Sequence, residues 1–190
     1  MKIGITETVK ARMELQQVIC VNDIDPVFCW YTHLMKIKRR NVLLIINANN
    51  RYTIATTDIE PGNWKYYSFY IWRAIYAAMD EMGYSQEAIE QYFKMAGKMY
   101  TAEIHNDKEI ETIEQIELLA YAYSKKLEKN TTFQKGLMDH LNTYICQPDG
   151  FDSYGRPREF FKMDMEGLGI IAKRKAAKII EFKKHLEHKR

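Results

Sequence analysis

The apolar positions of the chain change their period in a readable order. Lys2 to Thr6 alternates as a short strand, and Val9, Met13 and Leu15 then fall on one side of a helix that Thr6 or Thr8 can cap. The Asn/Asp-rich stretch 22–27, with Pro26, reads as a loop. From Phe28 to Thr57 the pattern is β. An aromatic and apolar run from Phe28 to Ile37 is followed by the basic turn Lys38-Arg39-Arg40-Asn41. The strand Val42–Asn47, the polar turn Ala48-Asn49-Asn50 and the segment Arg51–Thr57 complete it. Three strands joined by short polar turns predict an antiparallel meander, and the unbroken run Val42 to Ile46 predicts a middle strand covered on both faces.

Beyond Pro61 and Gly62 the period becomes helical. Phe69, Trp72, Tyr76 and Met79 share one face at i, i+3, i+7 and i+10, which predicts a helix with these residues in the core, ending near Gly83. Ser85 is placed to cap a helix through Ile89, Tyr92, Phe93 and Ala96. Residues 98–105 fit a short strand. Asp107 caps a helix whose stripe is Ile110, Ile113, Ile116, Leu119 or Ala120, Tyr123 and Leu127, and Thr131 or Thr132 opens another through Phe133, Leu137 and Leu141. Residues 147–167 contain two Pro and three Gly and read as a loop or linker, followed by a final helix from about Leu168 to Leu186. The expected fold is α+β, a small antiparallel meander packed against several helices with a basic C-terminal helix. The expected divisions are residues 1–146, 147–167 and 168–190.

Composition supports a packed domain. Of 190 residues, 46% are hydrophobic and 13% aromatic, enough for a core. No run approaches the roughly 18 apolar residues that a membrane helix needs. The first ten residues lack the apolar stretch of a signal peptide. Cys20, Cys29 and Cys146 are scattered and suggest neither a disulfide framework nor a zinc site. The expected location is therefore the cytoplasm.

Candidate catalytic pairings are weak. His185 and His188 are i, i+3 without further ligands, Asp139 and His140 are adjacent, and a His140–Cys146 couple would have to be formed by the fold. Asp149 to Ser153 lacks a calcium-loop pattern, Asp164 and Glu166 near Lys162 lack further acids, and no phosphate-binding glycine loop occurs. No catalytic residue, cofactor or metal is assigned.

Charge and aromatic content say more. The net charge of +3 divides into +6 for residues 173–190, with eight bases and two acids, and −3 for the rest, with 20 bases and 23 acids. Lys36, Lys38, Arg39 and Arg40 at the hairpin turn, with Lys173, Arg174, Lys175, Lys178, Lys183 and Lys184 of the tail, are candidate contacts for nucleic acid or an acidic partner. Residues 101–128 carry seven acids and three bases and could receive that tail within the protomer or across a homodimer. Tyr66, Tyr70 and Arg73 fall off the predicted core stripe, and Tyr and Arg are enriched at interface hot spots, so they are the candidate protein-interface residues.

Trp30, Tyr31, Leu34, Arg39, Arg40, Leu43, Leu44 and Asn47 resemble the hairpin of an uncharacterised bacterial family, a domain of unknown function found on chromosomes, plasmids and phages. Thr101 to Asn106 fits a later segment loosely. Glu111-Thr112-Ile113-Glu114 stands where relatives often carry small residues, and the basic tail looks like an addition. The resemblance implies an α+β fold and a bacterial or mobile-element origin, and transfers no catalytic residue. The expected function is a non-enzymatic protein that binds a protein or nucleoprotein partner, in one form an inhibitor of a host defence nuclease such as a CRISPR effector. The alternatives are nucleic-acid binding through the hairpin and tail, and a small hydrolase or nuclease with dispersed carboxylates.

Overall fold

The structure, a computed structural model, describes residues 1–13, 23–57, 61–123 and 125–173. The expected meander is present as β2 (Cys29–Ile37), β3 (Arg40–Asn47) and β4 (Thr53–Thr57), each antiparallel to the next. The sheet as a whole is mixed. β1 (Lys2–Ile5) lies parallel to β2 on one side and to β5 (Tyr100–Glu103) on the other, giving the order β4-β3-β2-β1-β5. Residues 6–28 separate β1 from β2 and residues 58–99 separate β4 from β5, connections long enough for parallel pairing where a tight turn is not.

Among the described residues six α-helices surround the sheet: α1 (Glu7–Lys10), α2 (Tyr67–Glu81), α3 (Gln86–Ala96), α4 (Asp107–Tyr121), α5 (Lys135–Thr143) and α6 (Pro157–Gly167). Consecutive residues of β2 show that both faces are covered. Trp30 and Thr32 bond Tyr92 of α3 and Tyr67 of α2, whereas Tyr31 and His33 meet Glu109 and Glu117 of α4. Val42 to Ile46 of β3 is buried throughout, as its unbroken apolar run predicts.

Local chemistry explains the ends of the elements. The two-residue turn between β2 and β3 places Lys38 and Arg39 at φ +48° and +71°, the left-handed values that match hairpin twist. Ser85 caps α3 by accepting from the Ala88 N–H, and Asn106 rather than Asp107 caps α4 by accepting from the Lys108 N–H. Thr132 and Phe133 do not open α5. Thr57 N–H donates to Thr132 O at 2.9 Å and Gln134 N–H to Ala55 O at 3.0 Å, so this strap covers the outer edge of β4. Asn142 adds a side-chain pair to Thr53, accepting from its N–H at 2.8 Å and donating to its carbonyl at 2.7 Å. An open strand edge is thereby closed.

Two expectations need correction. Residues 157–167 are a helix, not a linker: Pro157 opens α6, and Phe160, Phe161 and Met165 are buried at helical spacing. Phe161 packs against Trp30, Tyr52, Tyr84 and Tyr92, at the centre of the aromatic core. The second correction concerns α2. Its buried residues are Tyr67, Ile71, Ala74, Ile75, Ala78 and Met79, while Phe69 and Trp72 are 59% and 37% exposed. The small residues Ala74 and Ala78 are on the buried side, and the larger Phe69 and Trp72 are turned outward. Most of the predicted basic C-terminal helix lies outside the described residues.

Candidate interaction surface

The outward face of α2 forms one wall of a groove of about 750 Å³, lined by Tyr66, Phe69, Tyr70, Trp72, Arg73 and Tyr76, with Thr132 and Phe133 opposite. Phe69 and Trp72 stack with ring centroids 6.0 Å apart and planes at 10°. Trp72 also meets Tyr76 and Phe93 of α3, each at 5.4 Å. The ledge is held from behind by ring contacts and presents its front to solvent. Lys65 sits 4.9 Å above the Tyr66 ring and Arg73 5.8 Å above Phe69, so cations flank the rings, and no carboxylate lines the groove among the described residues.

The opposite wall is rigid for a different reason. Gln134, fully buried, donates through its side-chain amide to Thr57 Oγ1 at 3.0 Å and Thr131 O at 3.1 Å, and accepts from Glu128 N–H at 2.8 Å. Its backbone bond to Ala55 seats the strap beside β4, and this places Phe133 across from α2. Both walls are thus fixed to the sheet.

Tyr66, Tyr70 and Arg73, the residues assigned to a protein interface from sequence, all line this groove. Phe69, Trp72 and Tyr76, expected in the core, and Phe133, expected on a helix, belong with them. A signal for the exchange exists: Tyr67, Ile71, Ala74, Ile75 and Ala78 form a second, more continuous stripe on the same helix.

The hairpin cations are divided in their use. Lys38 donates to Lys125 O at 2.8 Å, and Arg40 donates to Glu128 O at 2.7 Å and Thr57 Oγ1 at 2.9 Å. These two side chains hold the hairpin to the segment after α4. Lys36 and Arg39 are exposed and make no ion pair among the described residues. Lys173 is exposed at the end of the described chain, and Arg174, Lys175, Lys178, Lys183 and Lys184 lie outside the described residues.

Other candidate groups are kept apart by the fold. Asp139 pairs with Arg158 at 2.7 Å while His140 Nε2 lies 3.0 Å from Leu119 O. Asp139 and Arg158, but not His140, line a cleft of about 920 Å³ between α5, α6 and the α2–α3 turn, as do Glu81 and Lys135, paired at 2.6 Å. Asp164 accepts from the Asn49 amide at 2.8 and 3.0 Å and from Asn50 at 2.7 Å, and burial raises its pKa above the ordinary 3.8 despite these bonds. Cys29 is buried and its thiol is pushed up to about 11 by desolvation, far from a reactive thiolate. Among the described residues no three His, Cys, Asp or Glu side chains are grouped to hold a metal ion. No helix among them is long and apolar enough to cross a membrane.

A family model described as a domain of unknown function, DUF6933, matches residues 2–160. No curated protein and no solved structure matches the chain.

Proposed function

The chain belongs to the DUF6933 family, and we propose that it is a non-enzymatic binding protein whose aromatic groove receives a protein or nucleoprotein partner. The observation that carries this reading is the outward placement of Phe69 and Trp72 on α2 while the smaller Ala74 and Ala78 are buried. A helix free to bury its largest rings gains more by doing so, since buried apolar area contributes about 25 cal/mol per Å². Aromatic residues beside Arg are the composition of interface centres, and a contiguous apolar surface is a feature of binding sites. With Arg73 lining the groove and Lys65 over the Tyr66 ring, the fitting segment is apolar with an acidic flank.

The family resemblance to chromosomal, plasmid and phage proteins makes a host defence nuclease the first class of partner to test. A panel of purified nucleases is assayed with wild type and with a Phe69→Ser/Trp72→Ser variant. Binding by wild type that the variant loses, at unchanged stability, supports the groove. Equal binding by both removes it.

A second reading follows from Lys36 and Arg39 at the hairpin tip, which together with the tail could contact phosphates. Gel shifts at rising salt decide it. A salt-insensitive shift, or no change in a Lys36→Ala/Arg39→Ala variant, excludes the hairpin from nucleic-acid contact.

A further inference from the structure

The outer side of α4 presents a second unpartnered face. Ile110, Leu118 and Tyr121 are 40%, 69% and 55% exposed and share a stripe with Glu111 and Glu114, which are exposed too. Other acids in this region are occupied. Glu109 meets Lys2 and Tyr31, Glu117 faces His33, and Glu103 pairs with Lys10 at 2.6 Å. Glu111 and Glu114 have no cationic partner among the described residues, and Glu111 accepts only from Gln115 of its own helix.

From these placements we infer that the α4 ridge is the docking surface for the chain's own C-terminal segment, residues 174–190. The chemistry is complementary. That segment holds seven Lys and Arg against Glu181 and Glu187, and its apolar residues Ile179, Phe182 and Leu186 recur at i, i+3 and i+7. The ridge offers acids between apolar side chains over a rise of about 16 Å along the helix axis. An apolar contact with flanking ion pairs suits both.

The reach is sufficient. The described chain ends past Ile170 and Ile171, which line the cleft beside α5. α5 neighbours both α6 and α4, bonded to the first through Asp139 and Arg158 and to the second through His140 and Leu119 O. Packed helices lie roughly 8–10 Å apart. Two such spacings are about 16–20 Å, which roughly six extended residues cover, and the other eleven of the seventeen span about 16 Å as a helix, so the segment can pass α5 and lie along α4. Docked there, the tail's cations face protein carboxylates, and a nucleic acid would have to displace them.

Zero-length carbodiimide cross-linking of the full chain, read by mass spectrometry, tests the inference without the groove. The expected result is linkage of Glu111 or Glu114 to Lys175, Lys178, Lys183 or Lys184 in the monomeric fraction. That linkage is lost at high salt and in a Leu118→Ser/Tyr121→Ser variant, whose exposed positions leave the fold unchanged by circular dichroism. Tail lysines joined elsewhere, or no tail linkage in the monomer, overturns it. Linkage confined to a dimeric band makes the occupant a second copy and also overturns it. Should the variant lose its fold, hydrogen exchange of α4 in wild type at low and high salt decides, with salt-independent exchange contradicting docking.

Discussion

Trp30 donates its indole N–H to the Tyr92 hydroxyl at 3.0 Å, and Tyr92 donates onward to Val27 O at 2.9 Å. The pair bonds β2 to α3 inside the core, beside Phe161 of α6. Val27 O also accepts from Asn47 at 2.9 Å, so it keeps a partner if Tyr92 is changed, whereas the Trp30 N–H does not. A Tyr92→Phe variant therefore leaves one buried donor unpaired and should cost about 1–3 kcal/mol in chemical denaturation. A change smaller than the measurement error would show that the indole finds another acceptor.

The two faces of α2 make opposite demands. Ile71→Ala or Ile75→Ala removes fully buried groups and should destabilise by about 2–5 kcal/mol. Phe69→Ser, at an exposed site, should change stability by about 0.5 kcal/mol or less. Thermal melts of the three variants check this. A large loss for Phe69→Ser would return that ring to the core.

The hairpin cations divide in the same way. Arg40→Ala abandons bonds to Glu128 O and Thr57 Oγ1 and should cost about 1–3 kcal/mol, while Arg39→Ala at the exposed tip should be nearly neutral. Equal costs in denaturant titrations would contradict the assignment of Arg40 as a tie.

Asp164 gives a pH dependence of defined sign. Burial raises its folded pKa above 3.8, so across the window that begins there and runs upward the folded state holds more protons than the unfolded one. Its contribution to stability is greatest below that window and falls as pH rises through it. An Asp164→Ala variant, which abandons Asn49 and Asn50, should thus lose more stability at pH 4 than at pH 6. A penalty that grows with pH would show that the amide bonds outweigh desolvation.

The strands were legible because their physics is local: Val42 to Ile46 must be covered on both faces, and Asn49 and Asn50 must turn. The parallel placement of β1 and β5 was not, because it depends on which long connection returns to which edge. Residues 157–167 misled because Pro157 and Gly167, which bound a helix, are also the residues of loops, while Phe160, Phe161 and Met165 carried the helical signal between them. The groove was half legible. Tyr66, Tyr70 and Arg73 stood out by residue type, but size alone favoured burying Phe69 and Trp72. The more continuous stripe of Tyr67, Ile71, Ala74, Ile75 and Ala78 is the one buried instead, and Phe133 entered the site because Gln134 pins its strap to β4.

The central claim is that the α2 groove is occupied by a partner in the cell. A photo-crosslinking benzoylphenylalanine is placed at Phe69 in the full chain, with a control at the exposed loop residue Tyr154, and both are irradiated in bacteria. The account predicts a discrete higher-mass adduct from position 69 that protease removes and nuclease does not, with no equivalent from position 154. No adduct at 69, the same adducts at both positions, or one destroyed only by nuclease would contradict it.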